Sequence, residues 1–228
     1  MQTDTIGTLY IIATPIGNME DITLRALRLL GEVDYVLCED TRTTGQLCKQ
    51  HAVAARLKRY DAHTSESVHA AIMADLAAGK HIALVSDAGT PGVSDPGVLL
   101  VQQARAQGIR IDAVPGASAV TAAVSIAGLA GNQFTFLGFV PQKKGRQTFF
   151  AELADYTHPV LFFESTHRIL KTLESLHSLS ADRKILLGRE LTKLHEEMLS
   201  GTASELLALL LATPVKQKGE FVVMVTPE

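Results

Sequence analysis

The run Ile82-Ala83-Leu84-Val85-Ser86-Asp87-Ala88-Gly89-Thr90-Pro91-Gly92-Val93-Ser94-Asp95-Pro96-Gly97 sets a short apolar strand against a turn dense in glycine, proline and small oxygen-bearing side chains. The carboxyl end of a strand is where open α/β sheets hold their ligands. Gly89, Gly92 and Gly97 let backbone approach a ligand closely, while Pro91 and Pro96 shape the loop before anything binds. Asp87, Thr90 and Asp95 add polar groups. A plain connection needs about four such residues. This loop is built for binding.

Strand and helix patterns alternate outward from it. Apolar runs predict strands over 8–13, 35–38, 56–58, 81–85 and 110–114, with helices over 22–30, 43–51, 65–78 and 98–107. Gly79 and Gly108 stand where helices stop. Strands separated by helices in this rhythm imply a parallel, doubly wound sheet. Pro115-Gly116 breaks the pattern, and beyond Gly131 it restarts. Strands are expected over 134–139, 160–164, 184–188, 195–199 and 221–225, with helices over 147–153, 166–176 and 203–211. The stretch 191–201 suggests an antiparallel element, which makes the second sheet mixed. The expectation is an α/β protein of two domains, 1–115 and 116–228, with a cleft between them.

The totals agree with a globular α/β protein. Of 228 residues, 46% are hydrophobic and 20% charged, and the formal net charge is −3. A mildly acidic chain carries no global nucleic-acid footprint, so any RNA contact must come from a local basic patch. Cys38 and Cys48 suggest neither a disulfide framework nor a metal site. Met1-Gln2-Thr3-Asp4 lacks the charged and apolar regions of a signal peptide. The most apolar stretch, 117–130, is too short to span a bilayer and is broken by Ser118, Thr121, Ser125 and Gly128. A cytoplasmic protein is expected.

Other loops at predicted strand ends carry chemistry too. Ala13-Thr14-Pro15-Ile16-Gly17-Asn18 follows the first strand, and Glu39-Asp40 ends the second, an echo of a dinucleotide site whose acidic residue holds a ribose. The first loop lacks G-x-G-x-x-G, however, and Pro15 removes a backbone donor where a pyrophosphate would sit. A ligand without phosphate fits better. Pro115-Gly116-Ala117-Ser118 opens an alanine-rich helix and, taken alone, reads as a tight turn with a capping serine. Phe162 to Arg168 and Gly188 to Lys193 place Glu164, His167, Arg168, Arg189, Glu190 and Lys193 at two further strand ends. Pro141-Gln142-Lys143-Lys144-Gly145-Arg146 is either an ordinary exposed basic loop or a phosphate-contacting element. No nucleophile elbow and no H-x-x-x-H zinc pair is present.

Thr14-Pro15-Ile16-Gly17-Asn18, Asp21-Ile22-Thr23, Glu39-Asp40-Thr41-Arg42, Ser86-Asp87-Ala88-Gly89-Thr90-Pro91, Pro115-Gly116, Glu164-Ser165-Thr166-His167-Arg168 and Arg189-Glu190-Leu191-Thr192-Lys193 together resemble the tetrapyrrole methylase superfamily. They look like the branch that methylates small-subunit ribosomal RNA. The cobalamin- and siroheme-pathway branches carry a G-D-P-type loop at Gly89-Thr90-Pro91. The resemblance runs in order over nearly the whole chain. It implies two α/β domains, S-adenosylmethionine as cofactor, usually a homodimer, and 2′-O-methylation of a cytidine in the decoding region of 16S rRNA, as free RNA or in the small ribosomal subunit. Carried over by motif, it implies cofactor contacts from Pro15, Ala88, Gly89, Thr90, Val93, Ser118, Ala119, Phe163, Glu164, Leu191, Thr192 and Lys193. Members of the family continue past the last core strand into a small further region, whereas this sequence ends at Thr226-Pro227-Glu228.

A ribose hydroxyl is a poor nucleophile and a sulfonium methyl a good electrophile, so the reaction needs alignment and help with one proton, and no metal. Asp87, Asp95 and Glu164 are the candidate catalytic proton acceptors, unranked by sequence. Arg42, Lys143, Lys144, Arg146, Arg168 and Arg189 are the candidate RNA contacts. Two other readings share the fold: a small-molecule methyltransferase acting on a tetrapyrrole, and a non-catalytic RNA-binding module that would not bind S-adenosylmethionine.

Overall fold

The computed structural model describes residues 7–129, 131–180 and 182–227. The chain divides into two compact units, Met1–Ser118 and Ala119–Glu228.

The first unit carries β1 (Thr8–Ile12), α1 (Leu24–Glu32), β2 (Tyr35–Cys38), α2 (Thr41–Gln50), β3 (Leu57–Arg59), α3 (Glu66–Ala77), β4 (Ile82–Leu84), α4 (Val98–Ala106) and β5 (Arg110–Val114). Helix starts follow from local chemistry: the Thr23 side chain accepts from the Ala26 N–H, and Asp40 accepts from the Arg42 N–H at 2.8 Å. The five strands are parallel in the order β3-β2-β4-β1-β5. Alternate residues of each strand serve opposite faces. Tyr35 and Leu37 join Ile72, Leu76, Leu100 and Ala104 of α3 and α4. Val36 and Cys38 join Ala26, Leu29, Leu30 and Leu47 of α1 and α2. The chain therefore leaves β1 towards β2 over one face and leaves β4 towards β5 over the other. Neighbours whose connections diverge in this way form a topological switch point, where open sheets take ligands.

The second unit carries α5 (Ala119–Ala127), β6 (Thr135–Phe139), α6 (Arg146–Glu152), β7 (Val160–Ser165), α7 (Ile169–Leu179), β8 (Ile185–Arg189), β9 (Glu197–Gly201), α8 (Ala203–Ala212) and β10 (Glu220–Val225). Its sheet runs β6-β7-β10-β8-β9; β6 is parallel to β7, and the other pairings are antiparallel. Phe162, Leu187, Phe221 and Val223 pack with Ile169, Leu173, Leu206 and Leu210 of α7 and α8. A reciprocal capping box between Thr202 and Glu205 starts α8. One parallel and one mixed α/β sheet is the fold class expected from the sequence.

Among the described residues no helix is long and apolar enough to cross a membrane. No group of three or more His, Cys, Asp or Glu among them could hold a metal ion.

Candidate active site

The switch point of the first unit is closed by backbone. The Thr14 N–H donates to the Gly89 carbonyl at 2.9 Å, and the Gly89 N–H donates back to the Thr14 carbonyl at 3.0 Å. The Thr14 hydroxyl also donates to the Ser86 carbonyl at 3.0 Å. This bridge is antiparallel although β1 and β4 are parallel, because the chain has already turned back on itself by Gly89. Gly89 has φ +80, a left-handed conformation that glycine adopts without steric cost, and an added Cβ would lie 3.4 Å from the Ile16 Cγ2. Pro15 is buried beside the bridge, Ala88 and Val93 are exposed, and Thr90 is half-buried with its hydroxyl 3.5 Å from the Ala117 carbonyl. Gly116 follows β5 so closely against β1 that a Cβ there would meet the Ala13 Cβ at 3.1 Å. Three loops separated widely in sequence thus meet at one sheet edge.

That edge is acidic. Burial, reinforced by the negative charge of Asp87, pushes the Asp95 carboxyl up to about 6 against the opposing hydrogen bond with Ser86. Glu39 is raised as well, by burial and by the charges of Asp95 and Asp87. Asp87 is exposed, and its Oδ1 accepts the Asp40 N–H at 3.1 Å, which ties the loop to the start of α2. Arg42 holds Asp40 down to about 2 by hydrogen bonding. Ser94, in the same loop, has φ +68, a strained conformation for a residue with a Cβ. Glu39 was legible as a strand-end acid but only as a ribose holder; its coupling to Asp95 depends on β2 and β4 being neighbours, which spacing does not encode.

In the second unit the loop after β8 is strained in a similar way. Glu190 has φ +51 and Thr192 φ +66. The Lys193 ammonium bridges Glu190 at 2.9 Å and Glu220 at 3.0 Å. Leu191 is buried, while the Thr192 hydroxyl is buried with no hydrogen-bond partner. Leaving such a group unpaired is costly, and here it coincides with the left-handed backbone of Thr192. Ser118 and Ala119 stand at the start of α5, and Phe163 is half-buried on β7.

Burial sets three of the candidates, Glu164, Arg146 and Arg189, apart from the rest. Glu164 has a side chain with 0% exposure; it accepts from the Ser165 N–H at 2.8 Å and the Thr172 hydroxyl at 2.6 Å, and Arg168 pairs with it at 2.9 Å. Arg146 turns inward to the same carboxylate at 3.7 Å and donates to the Thr172 hydroxyl at 2.9 Å. Both oxygens of this carboxylate are thus held by cations and hydroxyl. Arg146 is accordingly not part of an exposed basic patch. Arg189 is also buried, donating to the carbonyls of Lys218, His195 and Val215 and pairing with Glu197 at 3.1 Å. Sequence could not reveal these inversions, because strand-end cations look alike whether they meet solvent or a buried acid. Arg42, Lys143 and Lys144 remain exposed.

The model of the tetrapyrrole (corrin/porphyrin) methylases matches residues 8–207. The chain belongs to this family. Two relatives, each named ribosomal RNA small subunit methyltransferase I, are similar along most of their length. The protein from Neisseria meningitidis serogroup A is 44% identical over 222 residues, 97% of this chain and 76% of its own. That from Thermotoga maritima is 43% identical over 200 residues, 88% of this chain and 90% of its own. A solved diphthine synthase matches in fold with TM-score 0.75 at 16% identity, covering 97% of this chain and 90% of its own. As a tetrapyrrole methylase the chain is a methyltransferase. In the first unit, the acidic edge at Asp87, Asp95 and Glu39 complements the cationic sulfonium of the S-adenosylmethionine expected as methyl donor, where it would repel a phosphate.

Proposed function

We propose that the chain transfers a methyl group from S-adenosylmethionine to the ribose 2′-hydroxyl of a cytidine in the decoding region of 16S rRNA. The observation that carries this reading is the 44% identity to a small subunit methyltransferase I across 97% of the chain, in both units. Pro15, Ala88, Thr90, Val93 and Ser118 of the first unit and Ala119, Phe163, Leu191, Thr192 and Lys193 of the second form the proposed methyl-donor contacts, and Gly89 shapes the loop that carries Ala88, Thr90 and Val93. The bound donor supplies an electrophilic methyl on a sulfonium; the chain's own residues align the hydroxyl and accept its proton. Among the three carboxylate candidates we assign that proton to Asp95. A base with a pKa of about 6 is ionised at pH 7 yet stronger than an ordinary aspartate, the condition general-base catalysis requires. Asp87 acts as a positioning residue: its charge sustains the basicity of Asp95, and its bond to the Asp40 N–H steadies the loop. A cytoplasmic location and a homodimer belong to the same proposal.

The test is methyl transfer from labelled S-adenosylmethionine to purified 30S subunits, naked 16S RNA and uroporphyrinogen. Label in RNA, at a cytidine whose 3′ linkage resists alkali, supports the reading. Label in uroporphyrinogen alone overturns it. Calorimetry with S-adenosylmethionine separates an enzyme from a non-catalytic RNA-binding module, and molar mass in solution reads the assembly.

A further inference from the structure

Phe136, Phe139 and Phe163 form an aromatic cluster on one face of the second sheet. Phe136 meets Phe163 with ring centroids 4.8 Å apart, and Phe139 meets the same ring at 5.1 Å, both edge-on at 62°. Residues three apart on a regular strand point to opposite faces. Here the register shifts between Phe136 and Phe139, and Gly138 with φ +70 sits inside the shift. The extra residue re-aims Phe139 onto the side that Phe136 already occupies. Phe162 faces the core at 0% exposure, so its neighbour Phe163 and the cluster stand on the side away from α7 and α8. Phe139 nevertheless remains 53% exposed, on the edge strand β6.

The chain then runs directly into the basic loop, whose ends are pinned. Arg168 donates to the Val140 carbonyl at 2.8 Å, and Arg146 is buried against Glu164 and Thr172. Lys143 and Lys144 project from this anchored loop, exposed and without an ion-pair partner among the described residues. The result is a ring held on a strand with two uncompensated cations a few residues away. An exposed π-face beside backbone-seeking cations is the combination that binds unpaired nucleotides. The phosphates of an RNA strand supply the counter-charges that these two lysines lack among the described residues.

We propose that Phe139 is a stacking platform for an unpaired nucleobase of the RNA substrate, with Lys143 and Lys144 contacting the adjoining phosphates. The inference rests on the RNA-methyltransferase reading and names part of its substrate site. Phe139 acts by positioning; it touches none of the proposed donor contacts except the Phe163 ring, 5.1 Å from its own.

The experiment compares the parent, Phe139→Ala and Phe139→Tyr on 30S subunits, measuring RNA affinity, KM and kcat for RNA, S-adenosylmethionine affinity, molar mass and melting temperature. Phe139→Ala is expected to weaken RNA affinity about five- to a hundred-fold, the range of a lost base–aromatic stack, chiefly in KM. Phe139→Tyr, which keeps a π-face, should restore most of it, and methyl-donor affinity should stay within about twofold. Unchanged RNA affinity in a folded Phe139→Ala protein would overturn the proposal. So would a loss that Phe139→Tyr does not recover, or a change of molar mass with RNA affinity intact, which would make the face a self-interface. A parent that methylates RNA while Phe139→Ala equals it sinks this inference alone. A parent that methylates no RNA sinks the functional reading and this inference with it.

Discussion

Thr14 and Gly89, 75 positions apart, exchange both of their backbone hydrogen bonds, at 2.9 and 3.0 Å. The pair floors the switch point and consumes the polar backbone of Gly89. Gly89 therefore serves the loop's shape; the ligand is met by the residues that follow it.

Substitution at Gly89 tests this. The left-handed conformation at φ +80 costs a residue with a Cβ about 1–2 kcal/mol, and the new Cβ crowds Ile16. Gly89→Ala should lower the melting temperature and weaken S-adenosylmethionine binding together, with Gly89→Val worse in both. Calorimetry and thermal unfolding on the same samples check it. Normal stability with lost binding would instead mean that the ligand touches the Gly89 α-carbon directly.

Asp95 links activity and stability to pH in opposite senses. As the proton acceptor it must be ionised, so turnover should rise with pH through about 6 and then level off. Asp95→Asn should lower turnover by ~10²–10⁴-fold and erase that limb. For folding, a carboxyl whose pKa is raised above its unfolded value binds a proton more tightly when folded. Its ionisation therefore costs the native state stability progressively as pH climbs from about 4 to about 6. Asp95→Asn should consequently melt higher than the parent at pH 8 and lose that advantage below about pH 4. An unshifted pH–rate profile would remove Asp95 from the role and leave Asp87 as the candidate base.

Glu164 should behave as architecture. Glu164→Ala strands Arg146 and Arg168 against a buried cavity, and breaking a buried ion pair from one side costs about 3–5 kcal/mol. Denaturant unfolding should show that loss. Refolded protein at saturating donor and RNA should keep turnover within an order of magnitude, which a true general base would not.

The basic residues separate by the same logic. Lys143→Ala with Lys144→Ala should leave melting unchanged and reduce the slope of log affinity against log salt by about 1.4, since each phosphate contact to a single strand contributes ~0.7. Arg146→Ala should reduce stability instead, because its guanidinium is committed to Glu164 and Thr172. Salt-dependent RNA titrations beside unfolding curves distinguish the two outcomes.

The fold was legible because periodicity is local. The strands at Tyr35–Cys38 and Arg110–Val114 fall where their apolar runs are, and the antiparallel turn of 191–201 appears as β9. The helix of α7 begins later than its polar start suggests, at Ile169, because Ser165 to Arg168 are used in tying the end of β7. The site was legible in its loops and illegible in its orientations. Nothing near Arg146 or Arg189 in sequence marks them as buried; their partners Glu164 and Glu197 sit on other elements. The bulge at Gly138 was hidden for the same reason, since a register shift exists only relative to the neighbouring strand.

The placement of β10 has a consequence for how the molecule is made. It lies between β7 and β8, bonded to both, yet every other strand of that sheet precedes it in the chain. Synthesis proceeds at ~5–20 residues per second and domains condense as they emerge. The parallel sheet is complete once Val114 is out, whereas the mixed sheet waits for Glu220 to Val225 with the facing edges of β7 and β8 unpaired. The nascent second unit therefore passes through a stage in which its own missing centre is the only correct partner for two apolar edges, the stage at which a chaperone or a second nascent copy competes for them.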